Sequence, residues 1–137
     1  MRNLSAIDEN KDIVTKEYVD ALKPVSLWSG SSSSGNIVLN DSVANYSFIE
    51  VYYQNRGGYT SCSKIYSPQN KIMALQTGNG ETLDGYYLFN TCVLSFSGTT
   101  VSRSQDRYIN IHTNAYPTVG TNVSYYTLTI IEIIGYK

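Results

Sequence analysis

Hydrolysis of a glycosidic bond usually needs two carboxyl groups about 5 to 10 Å apart, one to move a proton and one to attack or to activate water. After Pro24 the chain offers Asp41, Glu50, Glu81, Asp84, Asp106 and Glu132 for such work. No two of them form a recognisable pair. Asp41, Asp84 and Asp106 sit in turn contexts, where aspartate caps its own backbone. Glu132 lies inside an isoleucine run, on an outward face or in a subunit interface. His112 is the single histidine, and no Gly-x-Ser-x-Gly elbow accompanies it. Cys62 and Cys92 lack the paired spacing of a zinc site and have only His112 as a further soft ligand. They read as buried, reduced thiols, with one disulfide between them as the alternative. Gly57-Gly58 and Gly78-Asn-Gly80 are hairpin punctuation and not a phosphate-cradling loop. The balance argues against an enzyme and suggests neither metal nor cofactor.

What remains is a surface that binds. The chain has 13 Tyr against 3 Phe and 1 Trp, and Tyr joins an apolar ring to a hydroxyl that can stay wet. Only 15% of residues are charged and the net charge is −1, so neither nucleic acid nor an anionic membrane finds an electrostatic partner. Tyr, Asn, Ser and Arg suit a polar, weakly charged ligand, and carbohydrate is the natural candidate. The residues singled out are the row Tyr108, Asn110 and His112, the hairpin tip with Arg56 and Tyr59, and Tyr116 in a loop.

These side chains must be held by strands. Turn signals such as Ser31 to Gly35, Asn55-Arg-Gly-Gly58, Gly78-Asn-Gly80, Asp84-Gly85 and Gly98 separate short runs of β type. The runs are Val25 to Gly30, a start at Ile37, Asn45 to Gln54, Tyr59 to Tyr66, Lys71 to Thr77, Tyr86 to Phe96, Thr99 to Arg103, Arg107 to Thr113 and Val123 to Tyr136. In Arg107 to Thr113, Ile109 and Ile111 point inward, which turns Tyr108, Asn110 and His112 outward at spacings of about 6.5 to 7 Å. Tyr116 to Gly120 reads as a loop. In the last run Leu128, Ile130 and Ile134 share one face and Ile131 and Ile133 the other, so a neighbouring subunit is expected on one side. The pattern is all-β, an antiparallel β-sandwich or jelly-roll-like head over 25–137.

Residues 1–24 read as a stalk segment. Thr15 can cap a helix of roughly nine residues that Pro24 ends. Helices under ~12–15 residues are marginal alone, so this one packs on its own head or on copies of itself, and self-association is preferred. A heptad from Leu4 puts Leu4, Lys11 and Tyr18 at one seam position and Ile7, Val14 and Ala21 at the other. Val14, Tyr18, Ala21, Leu22, Ile131 and Ile133 are therefore the expected oligomer interface. Trp28 reads as a packing anchor between stalk and head. No apolar run near the N-terminus marks a signal peptide, and none approaches a membrane span.

Three short motifs carry a resemblance: Val14-Thr-Lys-Glu-Tyr-Val-Asp20, Leu27-Trp-Ser-Gly30 and Ile131-Glu-Ile-Ile-Gly-Tyr-Lys137. With them the chain resembles the C-terminal tips of bacteriophage tail fibres and receptor-binding proteins. The resemblance implies a homotrimer with a β-rich tip that attaches to a host cell-surface glycan, works with other tail proteins, and is part of the virion after assembly in the host cytoplasm. It supplies no catalytic residues to transfer. Met1 to Lys11 is too small for a virion-attachment region, which implies a tip fragment or attachment through a separate protein. Two other readings stay open, a purely structural trimerisation or cap domain and a glycan-processing enzyme.

Overall fold

The computed structural model describes residues 15–55, 57–83, 86–112, 118–121 and 127–137, with the backbone alone for 78–83, 86–88, 110–112 and 118–121. The chain enters through helix α1, Lys16–Leu22. Thr15 caps it as expected, its Oγ1 accepting from the Tyr18 amide at 3.1 Å. Asp20 receives both Lys16 at 2.7 Å and Lys23 at 2.9 Å. The helix has seven residues and buries none of them. Tyr18 is 59% exposed and Leu22 50%, and Ala21 is exposed too. Leu4, Ile7, Lys11 and Val14 lie outside the described residues.

Nine strands follow among the described residues: β1 Val25–Ser32, β2 Ile37–Val38, β3 Phe48–Gln54, β4 Thr60–Tyr66, β5 Ile72–Leu83, β6 Tyr86–Ser97, β7 Thr100–His112, β8 Thr118–Thr121 and β9 Thr129–Tyr136. They build two antiparallel sheets, one ordered β1-β9-β3-β4 and the other β2-β7-β6-β5 with β8 beside β7. Both give side chains to a single core. Leu27, Ile49, Val51, Ile130 and Ile133 come from the first sheet, and Met73, Leu75, Cys92, Leu94, Phe96 and Val101 from the second. The expected β-sandwich is the observed fold. Among the described residues no helix is long and apolar enough to cross a membrane.

Two ties cross between the sheets. Tyr53, only 3% exposed, reaches from β3 to the Gln76 carbonyl of β5 at 3.1 Å. Arg103 of β7, its side chain 2% exposed, pairs with Asp106 and donates to the Ser32 carbonyl at 3.1 Å and the Leu128 carbonyl at 2.6 Å. Buried charge is costly unless every donor finds a partner; this guanidinium uses the first sheet's loose ends as its acceptors.

Bulges decide which residues face the core, and several sequence expectations change for that reason. Two residues of β7, Gln105 and Asp106, stand against Cys92 of β6, and Gln105 takes φ +53. An extra residue reverses strand parity. Thr99 to Arg103 and Arg107 to Thr113, expected as two strands, are thus one bent strand over Thr100–His112. Ile109, expected inward, is 41% exposed. A second bulge at Ile131 of β9 leaves Ile133 fully buried. Its own chain already covers Ile133, so it is a core residue and not an interface one; Ile131 is half-buried. The glycines of Gly78-Asn-Gly80 lie in a bulge within β5 and not in a turn after it. Thr118–Thr121, expected as loop, pairs with β7.

Neither cysteine is bonded. Cys92 is buried in the core, whereas Cys62, expected to be buried, is exposed on the other sheet. Trp28 packs at the margin of the core and lies over Gly30, where a Cβ would stand 2.8 Å from its ring.

Candidate functional site

The outer face of the first sheet follows from alternation in β3. Ile49, Val51 and Tyr53 turn inward, so Phe48, Glu50, Tyr52 and Gln54 turn outward, each half-buried. Register then fixes their neighbours. Phe48 stands between Tyr66 and Tyr136, Glu50 between Lys64 and Ile134, and Tyr52 between Cys62 and Glu132. Cross-strand pairs of this kind are the contacts that stabilise a sheet.

The first row is an aromatic ladder. Phe48 and Tyr136 stack with centroids 4.5 Å apart and planes 10° from parallel, and Tyr66 tilts onto Phe48 at 5.2 Å. The Lys64 ammonium lies 4.6 Å from the Phe48 ring centroid and 5.8 Å from that of Tyr66, within cation–π range. The rings spend their faces on one another, which leaves mainly edges and hydroxyls to solvent. Tyr66, at the sheet edge, is 62% exposed.

Below the ladder, Glu50 gathers donors. The Tyr136 hydroxyl makes a short bond to Oε1, the Tyr52 hydroxyl approaches the same oxygen at 3.4 Å, and the Cys62 thiol lies 3.7 Å from Oε2. Its bond to Glu50 is the main reason Tyr136 is pushed up to about 12, with desolvation second. Burial, and then the Glu50 charge, raises the Cys62 thiol. Glu132, beside Tyr52, accepts from Ser26 at 3.1 Å. Carboxylates, phenols and an ammonium thus share one uninterrupted sheet face. Such a face can exchange hydrogen bonds with a ligand rich in hydroxyls.

A cleft of about 470 Å³ opens at one end of the sandwich. One wall is the 3-10 turn Val43–Asn45 with Tyr46, and the other is the loop from Ser67 to Lys71 between β4 and β5. Tyr46 is fixed by its hydroxyl on Asp41 Oδ2 at 2.9 Å and by Gly135, over which its ring lies so closely that a Cβ there would stand 2.6 Å away. Desolvation, followed by the Asp41 bond, pushes Tyr46 up to about 12.

The chain matches no family model and no curated protein.

Of the residues singled out by sequence, Tyr59 is 58% exposed beside the β3–β4 turn, where its amide donates to Asn55 Oδ1 at 3.0 Å. Tyr108 pairs with Asn90, which is 1% exposed. Directly opposed residues share a face, so Tyr108 lies on the inner side and not in an outward row. The bulge at Gln105 is the cause. Asn110 and His112 belong to β7, but their side chains, like Arg56 and Tyr116, lie outside the described residues. Tyr59 and Tyr108 stand on different sheets and do not meet. Sequence reasoning missed Glu50, Tyr52, Lys64 and Tyr136 as a group. The alternation of Phe48, Glu50 and Tyr52 was the available signal; the register of β4 and β9 against it was not.

Proposed function

We propose that this chain is the receptor-binding tip of a bacteriophage tail fibre, a homotrimer whose heads hold a host cell-surface glycan on the outer face of the first sheet. The observation that carries the binding assignment is the Glu50 cluster, where phenol, thiol and carboxylate groups converge on a partly open sheet face. The three motifs at 14–20, 27–30 and 131–137 support the fibre-tip part. Exposed Tyr18 and Leu22 on a helix too short to persist alone support self-association. Repetition of a weak site in a trimer can raise avidity about 10² to 10⁴-fold where geometry permits.

Glycan-array binding and host-cell adsorption test this reading. The intact chain binds a host saccharide, and Glu50→Gln and Tyr66→Ala each weaken that binding about tenfold, the loss of roughly 1.4 kcal/mol. Unchanged adsorption in both variants would favour the structural cap instead. Loss in Tyr59→Ala and Tyr116→Ala alone would move the site to the loops.

A second reading has one specific observation behind it. Glu50 pairs with Ile134, two residues from Glu132, so the two acids are diagonal neighbours on one sheet face, within reach of each other for long side chains, as two hydrolytic carboxyls must be. Release of reducing ends from host polysaccharide, abolished by Glu50→Gln and by Glu132→Gln, would establish glycan processing over simple attachment.

A further inference from the structure

We propose that the cleft between the Val43–Asn45 turn and the Ser67–Lys71 loop binds the anionic group of an acidic sugar, a carboxylate or a phosphate. The proposal rests on the glycan-binding reading above and narrows the ligand to acidic glycans.

Lys71 is the central observation. Its ammonium is held by the Tyr66 carbonyl at 3.0 Å, an uncharged acceptor that fixes its position and leaves its charge uncompensated. An ammonium has three donors, so two remain for a ligand. The ion pairs among the described residues are Lys16 and Lys23 with Asp20 and Arg103 with Asp106; Lys71 and Lys137 have no carboxylate at ion-pair distance among those residues. Lys137 lies 5.8 Å from the ring centroid of Tyr46, which lines the cleft. Asp41, bonded to the Tyr46 hydroxyl, is also engaged by the Ser42 amide and the Asn45 amide group. Lys71 therefore brings to the cleft a positive charge with no described carboxylate at ion-pair distance.

Val43, Tyr46 and Pro68 are buried and close the floor of the cleft, while Ala44, Ser67 and Lys71 are exposed on its walls and Gln69 is half-buried between them. The loop is held in an unusual backbone. Ser67 takes φ +47 directly before Pro68, and Asn70 takes φ +61, although a residue before proline is normally driven to extended conformations. The Ser67 amide on the Ser47 carbonyl at 2.7 Å and the Gly98 amide on Gln69 Oε1 at 2.9 Å keep it there. Backbone held in sparsely populated regions by its surroundings clusters at ligand sites.

The test is an amide-resolved NMR titration of the full chain with glucuronate, glucose 6-phosphate, glucose and inorganic phosphate. Both acidic sugars shift the Gln69, Asn70 and Lys71 amides with Kd at least tenfold below glucose. Lys71→Gln weakens them at least tenfold with its amide dispersion intact, Lys71→Arg keeps most of the binding, and the distant Lys23→Gln changes nothing. Higher salt loosens the acidic sugars selectively. Which acidic sugar binds more tightly names the anion. Equal binding of glucose, indifference to Lys71→Gln, or inorganic phosphate binding as well as the sugars would overturn the proposal. Saccharide shifts confined to β3, β4 and β9 would overturn it while leaving the sheet-face reading standing; no saccharide shifts anywhere would end both.

Discussion

Tyr136 and Tyr46 each hold a phenolic proton up to about 12, the first mainly through its bond to Glu50 and then desolvation, the second mainly through desolvation and then its bond to Asp41. An unfolded tyrosine loses its proton near 10. Above that pH the unfolded chain binds fewer protons than the folded one, so stability falls as pH rises. The contribution of both groups is complete below about 10 and gone once pH passes about 12. Thermal melting should therefore begin to fall above about pH 8, where the Cys92 thiol, held up to about 11 by burial, ionises in the unfolded chain, and drop further between 10 and 12, with a shallower second drop in Tyr136→Phe. The thiols separate as sharply. Cys92 is buried and pushed up to about 11 by that burial, whereas Cys62 is exposed. A thiol reagent at pH 8 should label one cysteine in the native protein and two in denaturant. Sequence showed that both lacked metal spacing but could not show that they occupy opposite sheets. Glu50 was legible only as one acid among six, because its closest donor, Tyr136, arrives from β9, a strand far away in the chain.

Strand existence was readable from turn chemistry, and strand facing was not. Gly98, at φ +58, turns β6 into β7 where expected, and Thr15 caps α1 where expected. Alternation misassigned Ile109, Tyr108 and Ile133 because a single bulged residue inverts everything beyond it, and nothing local marks Gln105 or Ile131 as that residue. The same bulge puts Asp106 beside Arg103. Removing that buried guanidinium strands Asp106 and two carbonyls, so Arg103→Ala should lower unfolding free energy by about 3–5 kcal/mol in urea. Arg103→Lys should recover little, since an ammonium cannot reproduce the fork. Gly135→Ala pushes a methyl into the Tyr46 ring and should cost about 1–3 kcal/mol.

At the scale of the molecule, short strands at regular spacing pointed to two packed sheets, and two packed sheets with one core are found. The helix was legible as a unit because its cap, its charge pairs and Pro24 are all local in sequence; its partners are not. Sedimentation equilibrium should give three times the 15.3 kDa chain mass at micromolar concentration. Tyr18→Ser with Leu22→Ser should shift the equilibrium toward monomer without altering the sandwich. The first strand of the head is hydrogen-bonded to its last, with Val25 opposite Gly135. Tension transmitted along α1 therefore reaches the head at β1, whose rungs to β9 share a load applied along the strand and break together instead of one by one. A fastening of that kind yields late and abruptly.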